Sequence, residues 1–89
     1  MKNNKTTDWQ DYWRKFDELI ELLKADSKIE IIAEFKEAQK SVNGLTDGWF
    51  EFKFAFEKVI KSYRQEMTDE QTYIAVFLIS TLDKSLTKI

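Results

Sequence analysis

The side chains of this 89-residue chain that could carry out chemistry are carboxylates, lysines, tyrosines and serines, because the chain has no histidine and no cysteine. Without histidine, the commonest general base at neutral pH and the usual base of a catalytic triad are missing. Without cysteine, thiolate nucleophiles, disulfides and the usual structural zinc sites are missing. No glycine-rich loop follows a strand pattern, so phosphate-cradling motifs are absent too. The sequence therefore predicts a protein that is not an enzyme and needs no cofactor.

Three glutamates, Glu30, Glu34 and Glu37, stand at i, i+4 and i+7 on one side of a predicted helix. One interpretation is an acidic stripe that attracts a basic partner, extended by Glu18 and Glu21 from the preceding helix. The other is a solvated face near the favourable N-terminal end of the helix dipole. Carboxylates on one helix face bind Mg²⁺ or Ca²⁺ weakly unless a loop completes the shell, so no metal site is predicted.

A second candidate site combines aromatic rings with cations on the outer face of another predicted helix. Its members are Phe50, Lys53, Phe54, Lys58, Lys61 and Arg64. Rings between cations could dock against an acidic protein or stack on the bases of an anionic polymer. Alternatively, the lysine stems cover apolar rings at the edge of the core. Phe54 favours binding because no local contact explains it, whereas Phe50 has the spacing of a hydrophobic staple with Leu45.

The last predicted helix is apolar on nearly every side in its first half, so it offers more apolar surface than one neighbour can cover. The candidate residues for a homodimer interface are Tyr73, Val76 and Phe77. The same side chains are buried in a monomer if this helix lies at the centre of the fold. A third aromatic group near the N-terminus could line a ligand pocket, although aromatics at helical spacing are usually core. This group is Trp9, Trp13 and Phe16.

Four helices are expected to position these side chains. The predicted helices span about 8–24, 28–43, 47–66 and 69–87, in a single domain over 7–89 that follows a disordered tail over 1–6. Proline is absent and apolar residues recur at three- and four-residue steps, which favours long helices. Capping boxes beginning at Thr7, Ser27 and Thr68 indicate three of the helix starts. The pair Asn43 and Gly44 indicates the end of the second helix.

The segment Gly48–Phe56 is ambiguous, because its phenylalanines at alternate positions have the period of a strand. We prefer a helix, since a helical arc accounts for seven apolar residues between Trp49 and Met67. A lone strand would also need a partner for its backbone. The expected fold is therefore all-α, a compact four-helix bundle with up-down-up-down connections. If the segment is extended, the fold is α+β, with Ile29–Phe35 and Tyr73–Ile79 as possible strand partners.

Composition narrows the class of partner. The net charge of −2 and the isoelectric point near 5.2 argue against general nucleic-acid binding. The longest apolar run is far too short for a membrane span, and the N-terminus lacks an apolar signal core, which predicts cytoplasmic residence. The leading hypothesis is a small, non-catalytic protein-binding module that masks a partner, as immunity proteins and some antitoxins do. The alternatives are a homo-oligomer assembled through the last helix and a binder of an anionic polymer through the third.

Overall fold

The prediction of an all-α fold is confirmed. A computed structural model describes residues 9–42 and 46–87 of the chain. Its helices are α1 (Trp9–Ala25), α2 (Ile29–Gln39), α3 (Thr46–Tyr63) and α4 (Asp69–Leu86), with a 3₁₀ turn at Arg64–Glu66. These two ranges contain no strand, and Gly48–Phe56 lies inside α3. The α+β alternative is therefore wrong, because the helical arc of apolar side chains outweighs the local alternation of phenylalanines.

The four helices pack in a ring in which each contacts the preceding and the following helix, and α4 closes the ring against α1. Helices α1 and α4 are antiparallel. The hydroxyl of Tyr12, near the start of α1, donates a hydrogen bond of 3.3 Å to the carbonyl of Leu78 in the second half of α4. At the opposite end, the amide nitrogen of the Gln71 side chain donates a bond of 3.3 Å to the carbonyl of Leu22. The expected up-down-up-down bundle follows from this arrangement.

Aromatic rings form much of the core between α1, α2 and α3. The fully buried large side chains are Phe16, Phe35, Phe52, Phe56, Leu19, Leu23, Ile31, Leu78 and Leu82. Phe56 meets Phe35 and Phe16 edge to face, with ring centroids 4.9 and 6.1 Å apart. Trp9 and Trp13 of α1 pack on Trp49 of α3, at 4.3 and 5.8 Å. The N-terminal aromatic group therefore belongs to the core and its edge.

The connection from α1 to α2 corrects the predicted capping box at Ser27. Ser27 does not cap α2: the N-cap residue is Lys28, and no side chain caps that helix. Instead, Ser27 has a left-handed backbone with φ of 58° and ends α1. The amides of Ser27 and Lys28 donate to the carbonyls of Lys24 and Leu23, at 3.0 and 2.9 Å. This is the Schellman arrangement of a helix C-terminus, with serine where glycine is usual.

Helix α2 is shorter than predicted, ending at Gln39 rather than near residue 43. After it, the amides of Lys40, Ser41 and Val42 each donate to the carbonyl three residues earlier, which winds the chain into a tighter turn. Other predictions lie outside the described residues. These are the tail over 1–6, the cap at Thr7, the helix end at Asn43 and Gly44, and the staple through Leu45.

The capping box at the start of α4 is confirmed. The Thr68 hydroxyl accepts a bond of 3.1 Å from the backbone amide of Gln71, and the Gln71 side chain accepts one of 3.0 Å from the Thr68 amide. Two otherwise unsatisfied donors of the helix N-terminus are thereby bonded.

Candidate functional site

Three large apolar side chains on α4 point away from the bundle. Tyr73, Val76 and Phe77 are 72%, 48% and 47% exposed, and we call them the α4 apolar face. The spacing i, i+3, i+4 places them on one side of the helix, opposite the core residues Ile74 and Leu78. The interpretation that they are buried in a central helix is therefore wrong. Helix α4 is one of four equivalent members of the ring, so only its inner side is covered.

A groove runs between α3 and α4 beside this face. The α3–α4 groove is lined by Glu57, Ile60, Lys61, Arg64, Val76 and Ile79. Ile60 is buried, Ile79 is half-buried and Val76 is shared with the α4 apolar face, so apolar surface continues from the groove onto α4. The structure thus brings together two predicted sites that the sequence kept apart, the cationic end of the third helix and the apolar side of the fourth.

Lys53 occupies the other end of the interface between α3 and α4. Its ammonium lies 3.2 Å from a carboxylate oxygen of Glu57 and 3.8 Å from one of Asp83, and only 15% of its side chain is exposed. The same ammonium lies 5.4 Å from the ring centroid of Phe54. Phe54, although 62% exposed, therefore has a local role as the ring beneath a cation. Phe50, one turn earlier, is half-buried.

The cations of the predicted helix-three site do not act as one group. Lys53 is held by two carboxylates, and Lys61 and Arg64 lie on the α4 side of the helix. Lys58 lies on the α2 side, where it lines a different groove. These residues therefore do not form a single aromatic and cationic stripe. Helix α3 has α2 on one side and α4 on the other, and its cations are divided between the two grooves.

The α2–α3 groove is acidic. It is lined by Glu34, Glu37, Ala38, Ser41, Ala55, Lys58, Val59, Ser62 and Tyr63. Desolvation raises the pKa of the Tyr63 phenol, and the charges of Glu34, Glu30 and Glu66 raise it further. The negative charges of these three glutamates therefore converge near Tyr63, where the predicted acidic stripe lies. Glu37 is engaged by Lys40, at 3.2 Å.

Glu18 and Glu21, the proposed extension of that stripe, each pair with a lysine on α1. Glu18 lies 3.2 Å from Lys15 and Glu21 lies 3.5 Å from Lys24. Such exposed pairs contribute little stability, but they reduce the local negative charge. Over residues 9–42 and 46–87, no group of three or more carboxylates is placed to hold a metal ion.

Two exposed residues, Ile29 and Glu66, were not identified as candidate site residues from the sequence. Ile29 is 63% exposed at the start of α2, and it lines a shallow depression with Glu30 and Glu66. The signal for Ile29 was present, since it lies two residues before Ile31 and so off the buried stripe. Glu66 could not be found in this way, because the 3₁₀ turn after α3 decides which way it faces.

No protein-family model matches the chain, and no curated protein or solved structure is significantly similar to it. None of the helices in the described ranges combines the length and hydrophobicity that a bilayer-spanning segment needs. The candidate surfaces are therefore interpreted from their own geometry.

Proposed function

We propose that this protein is a non-catalytic protein-binding module that acts by covering part of a partner's surface. The observation that carries the proposal is the α4 apolar face. Its three side chains share one side of a helix and remain 47–72% exposed. Contiguous apolar side chains on the surface of a small protein mark places where another macromolecule binds. Aromatic residues are also enriched where proteins meet.

A partner that covered the α4 apolar face would gain free energy from burial of its exposed apolar surface. Covering a large apolar side chain completely is worth about 1.5–3 kcal/mol, so half-exposed Val76 and Phe77 and the more exposed Tyr73 each have about 0.7–2 kcal/mol still to gain. Together these contributions could anchor a complex of moderate affinity. The chemistry of the chain supports a binding role, because it has neither histidine nor cysteine to serve as base or nucleophile. Stoichiometric inhibition, in the manner of immunity proteins and antitoxins, is one form such masking could take.

A second candidate function is a homo-oligomer built on the α4 apolar face. The same three side chains favour it, because a patch on one helix can pair with its own copy around a two-fold axis. A binder of an anionic polymer is not favoured. Of its proposed cations, Lys53 is held by carboxylates and Lys58 lies in a different groove from Lys61 and Arg64.

The test is capture of partners from the native host lysate by the full chain, with the bound proteins identified and the mass of each complex measured by light scattering. The test variant is Tyr73→Ser with Phe77→Ser, and the control is Ile29→Ser on α2, since the exposure of Ile29, 63%, lies between those of Phe77 and Tyr73. We expect a one-to-one complex that the control retains and the double variant loses.

Retention of the complex by the double variant would remove the α4 apolar face from the proposal. If the chain captures nothing and scatters as a dimer that the double variant dissociates, the homo-oligomer replaces the binding module. Circular dichroism of each variant distinguishes these outcomes from unfolding.

A further inference from the structure

We infer that the α3–α4 groove receives an acidic amphipathic helix of the partner protein. The inference rests on the proposed function and deepens it, because it names the chemistry of the segment that docks. Its apolar residues would cover the groove floor and the adjoining α4 apolar face. Its carboxylates would meet Lys61 and Arg64 at the rim.

The floor of the groove is suited to apolar anchors. Ile60 and Ile79 form its base, and half-exposed Val76 links it to Tyr73 and Phe77 on the outer side of α4. An amphipathic helix presents its anchors at i, i+3, i+4 and i+7, which form a stripe of similar shape. A groove between two antiparallel helices can hold a third helix in the same way that helices pack on one another. An added strand has nothing to pair with here, since residues 9–42 and 46–87 contain no sheet edge.

The positive charges on the rim of the groove favour a docking segment that is negatively charged. Lys61 and Arg64 are exposed and make no ion pair with any other residue that the structure describes. Glu57, the one acidic residue of the lining, is already engaged by Lys53 at 3.2 Å. The unpaired charge of the groove is therefore positive, although the whole chain carries −2. Carboxylates would gain charge-assisted hydrogen bonds from these two side chains, with a bidentate geometry open to Arg64.

A second copy of this chain could offer the groove only α4, which bears acidic Asp69 and Glu70 and the α4 apolar face. Helix α2, which is also acidic, buries its apolar face against the core through Ile31 and Phe35. Self-association through α4 is therefore the competing arrangement, and the mass measured by light scattering separates it from binding of a partner. The α2–α3 groove is a less favourable binding site for an acidic segment, because Glu34 and Glu37 line it and would repel carboxylates.

The experiment selects ligands without assuming a sequence. A phage-displayed library of random 16-residue peptides is panned against the full chain, and enriched peptides are synthesised and titrated. The test variant is Lys61→Glu with Arg64→Glu. The control is Lys24→Glu with Lys36→Glu, which makes the same change in net charge at exposed positions of α1 and α2.

We expect enriched peptides to be net negative, with apolar residues every three or four positions. The dissociation constant should rise at least about tenfold in the test variant, since two charge-assisted contacts are reversed, and change less than about twofold in the control. Val76→Ser should also weaken the complex. Chemical shifts in the ¹⁵N spectrum should move at the groove residues and leave α2 unchanged.

Three results would overturn the inference: enrichment of basic peptides, acidic peptides that bind the test variant as tightly as the wild type, or no enrichment. The proposed function and this inference can be tested separately. If the lysate complex is lost in the Tyr73/Phe77 variant but retained in the Lys61/Arg64 variant, the module binds its partner by α4 alone, and only the acidic occupant is wrong. A dimer that the Tyr73/Phe77 variant dissociates would instead place a second copy on α4 and remove both proposals.

Discussion

Apart from the phenol of Tyr12, Gln71 is the only polar side chain buried within the described ranges, with 2% of its surface exposed. Its amide nitrogen donates to the Leu22 carbonyl at 3.3 Å and to an Asp26 carboxylate oxygen at 2.7 Å. Its amide oxygen accepts from the Thr68 backbone at 3.0 Å and from the Lys28 ammonium at 3.2 Å. One side chain thus caps α4 and joins it to the end of α1. Burial of this amide is tolerated because its hydrogen-bonding atoms are satisfied.

Replacement of Gln71 by alanine should lower the free energy of unfolding by about 2–3 kcal/mol, because buried partners lose their bonds. Thr68→Ala removes only the cap and should cost about 1 kcal/mol. Urea unfolding followed by circular dichroism measures both. Equal losses in the two variants would mean that the bonds from α4 to α1 contribute nothing beyond the cap.

Tyr12 makes the free energy of unfolding depend on pH in the alkaline range. Desolvation raises the pKa of its buried phenol above the ordinary value of about 10. Above that pH the unfolded chain has lost this proton while the folded chain retains it, so the free energy of unfolding falls as pH rises. Below about pH 10 both states are protonated, and the contribution is fully present.

The variant Tyr12→Phe should therefore lose stability less steeply above pH 10, by up to about 1.4 kcal/mol per pH unit relative to the wild type. At pH 7 it should be less stable by about 0.5–1.5 kcal/mol, because the hydrogen bond to the Leu78 carbonyl is gone. Tyr73→Phe alters an exposed phenol and is the control, expected to follow the wild type. Parallel pH profiles of all three proteins would contradict the assignment to Tyr12.

At the scale of elements, helix ends were harder to predict than helices. The pattern Ser27-x-x-Glu30 resembles the pattern at Thr68, yet only the second forms a capping box. The difference arises because Ser27 completes the C-terminus of α1, where the Lys28 amide bonds to the Leu23 carbonyl. A local motif cannot show which of two adjacent helices will use a residue. That choice depends on how closely α1 and α2 must turn to pack.

The left-handed backbone of Ser27 can be relieved by glycine. A non-glycine residue in this region costs about 1–2 kcal/mol, whereas glycine loses about 0.5–1 kcal/mol through its freer unfolded state. Ser27→Gly should therefore raise the free energy of unfolding by about 0.5–1 kcal/mol. Thermal and urea unfolding test this, with Ser27→Ala as the variant that keeps Cβ and should bring no gain. A destabilised glycine variant would show that the serine hydroxyl matters more than the backbone.

At the scale of the whole molecule, the ring of four helices gives α3 two grooves of opposite character. The groove toward α2 is lined by Glu34 and Glu37, and the groove toward α4 has Lys61 and Arg64 on its rim. The inner side of α3 holds the aromatic core, where Phe52 and Phe56 are fully buried. One helix therefore contributes to the stability of the fold and to both candidate binding surfaces.

Alternate phenylalanines of α3 should respond very differently to truncation. Phe52→Ala or Phe56→Ala should lower the free energy of unfolding by about 3–5 kcal/mol, because each leaves a cavity among buried rings. Phe54→Ala should cost no more than about 1 kcal/mol, the worth of an exposed contact between Lys53 and the ring. Chemical denaturation of the three variants measures the difference. A large loss for Phe54→Ala would place that ring in the core.

The sequence by itself determined the helices and the buried sides of α1, α2 and α3, because both follow from local periodicity at 3.6 residues per turn. It also indicated Phe54 as an apolar residue off the main buried stripe, but it left Tyr73, Val76 and Phe77 open between an interface and a central helix. Only the tertiary structure decided that Lys61 and Arg64 share a groove with Val76 while Lys58 faces α2. The physical reason is that a groove forms between helices far apart in sequence, and its lining depends on how they turn toward one another when their inner faces pack. Periodicity determines the buried side of one helix but not the identity of its neighbours.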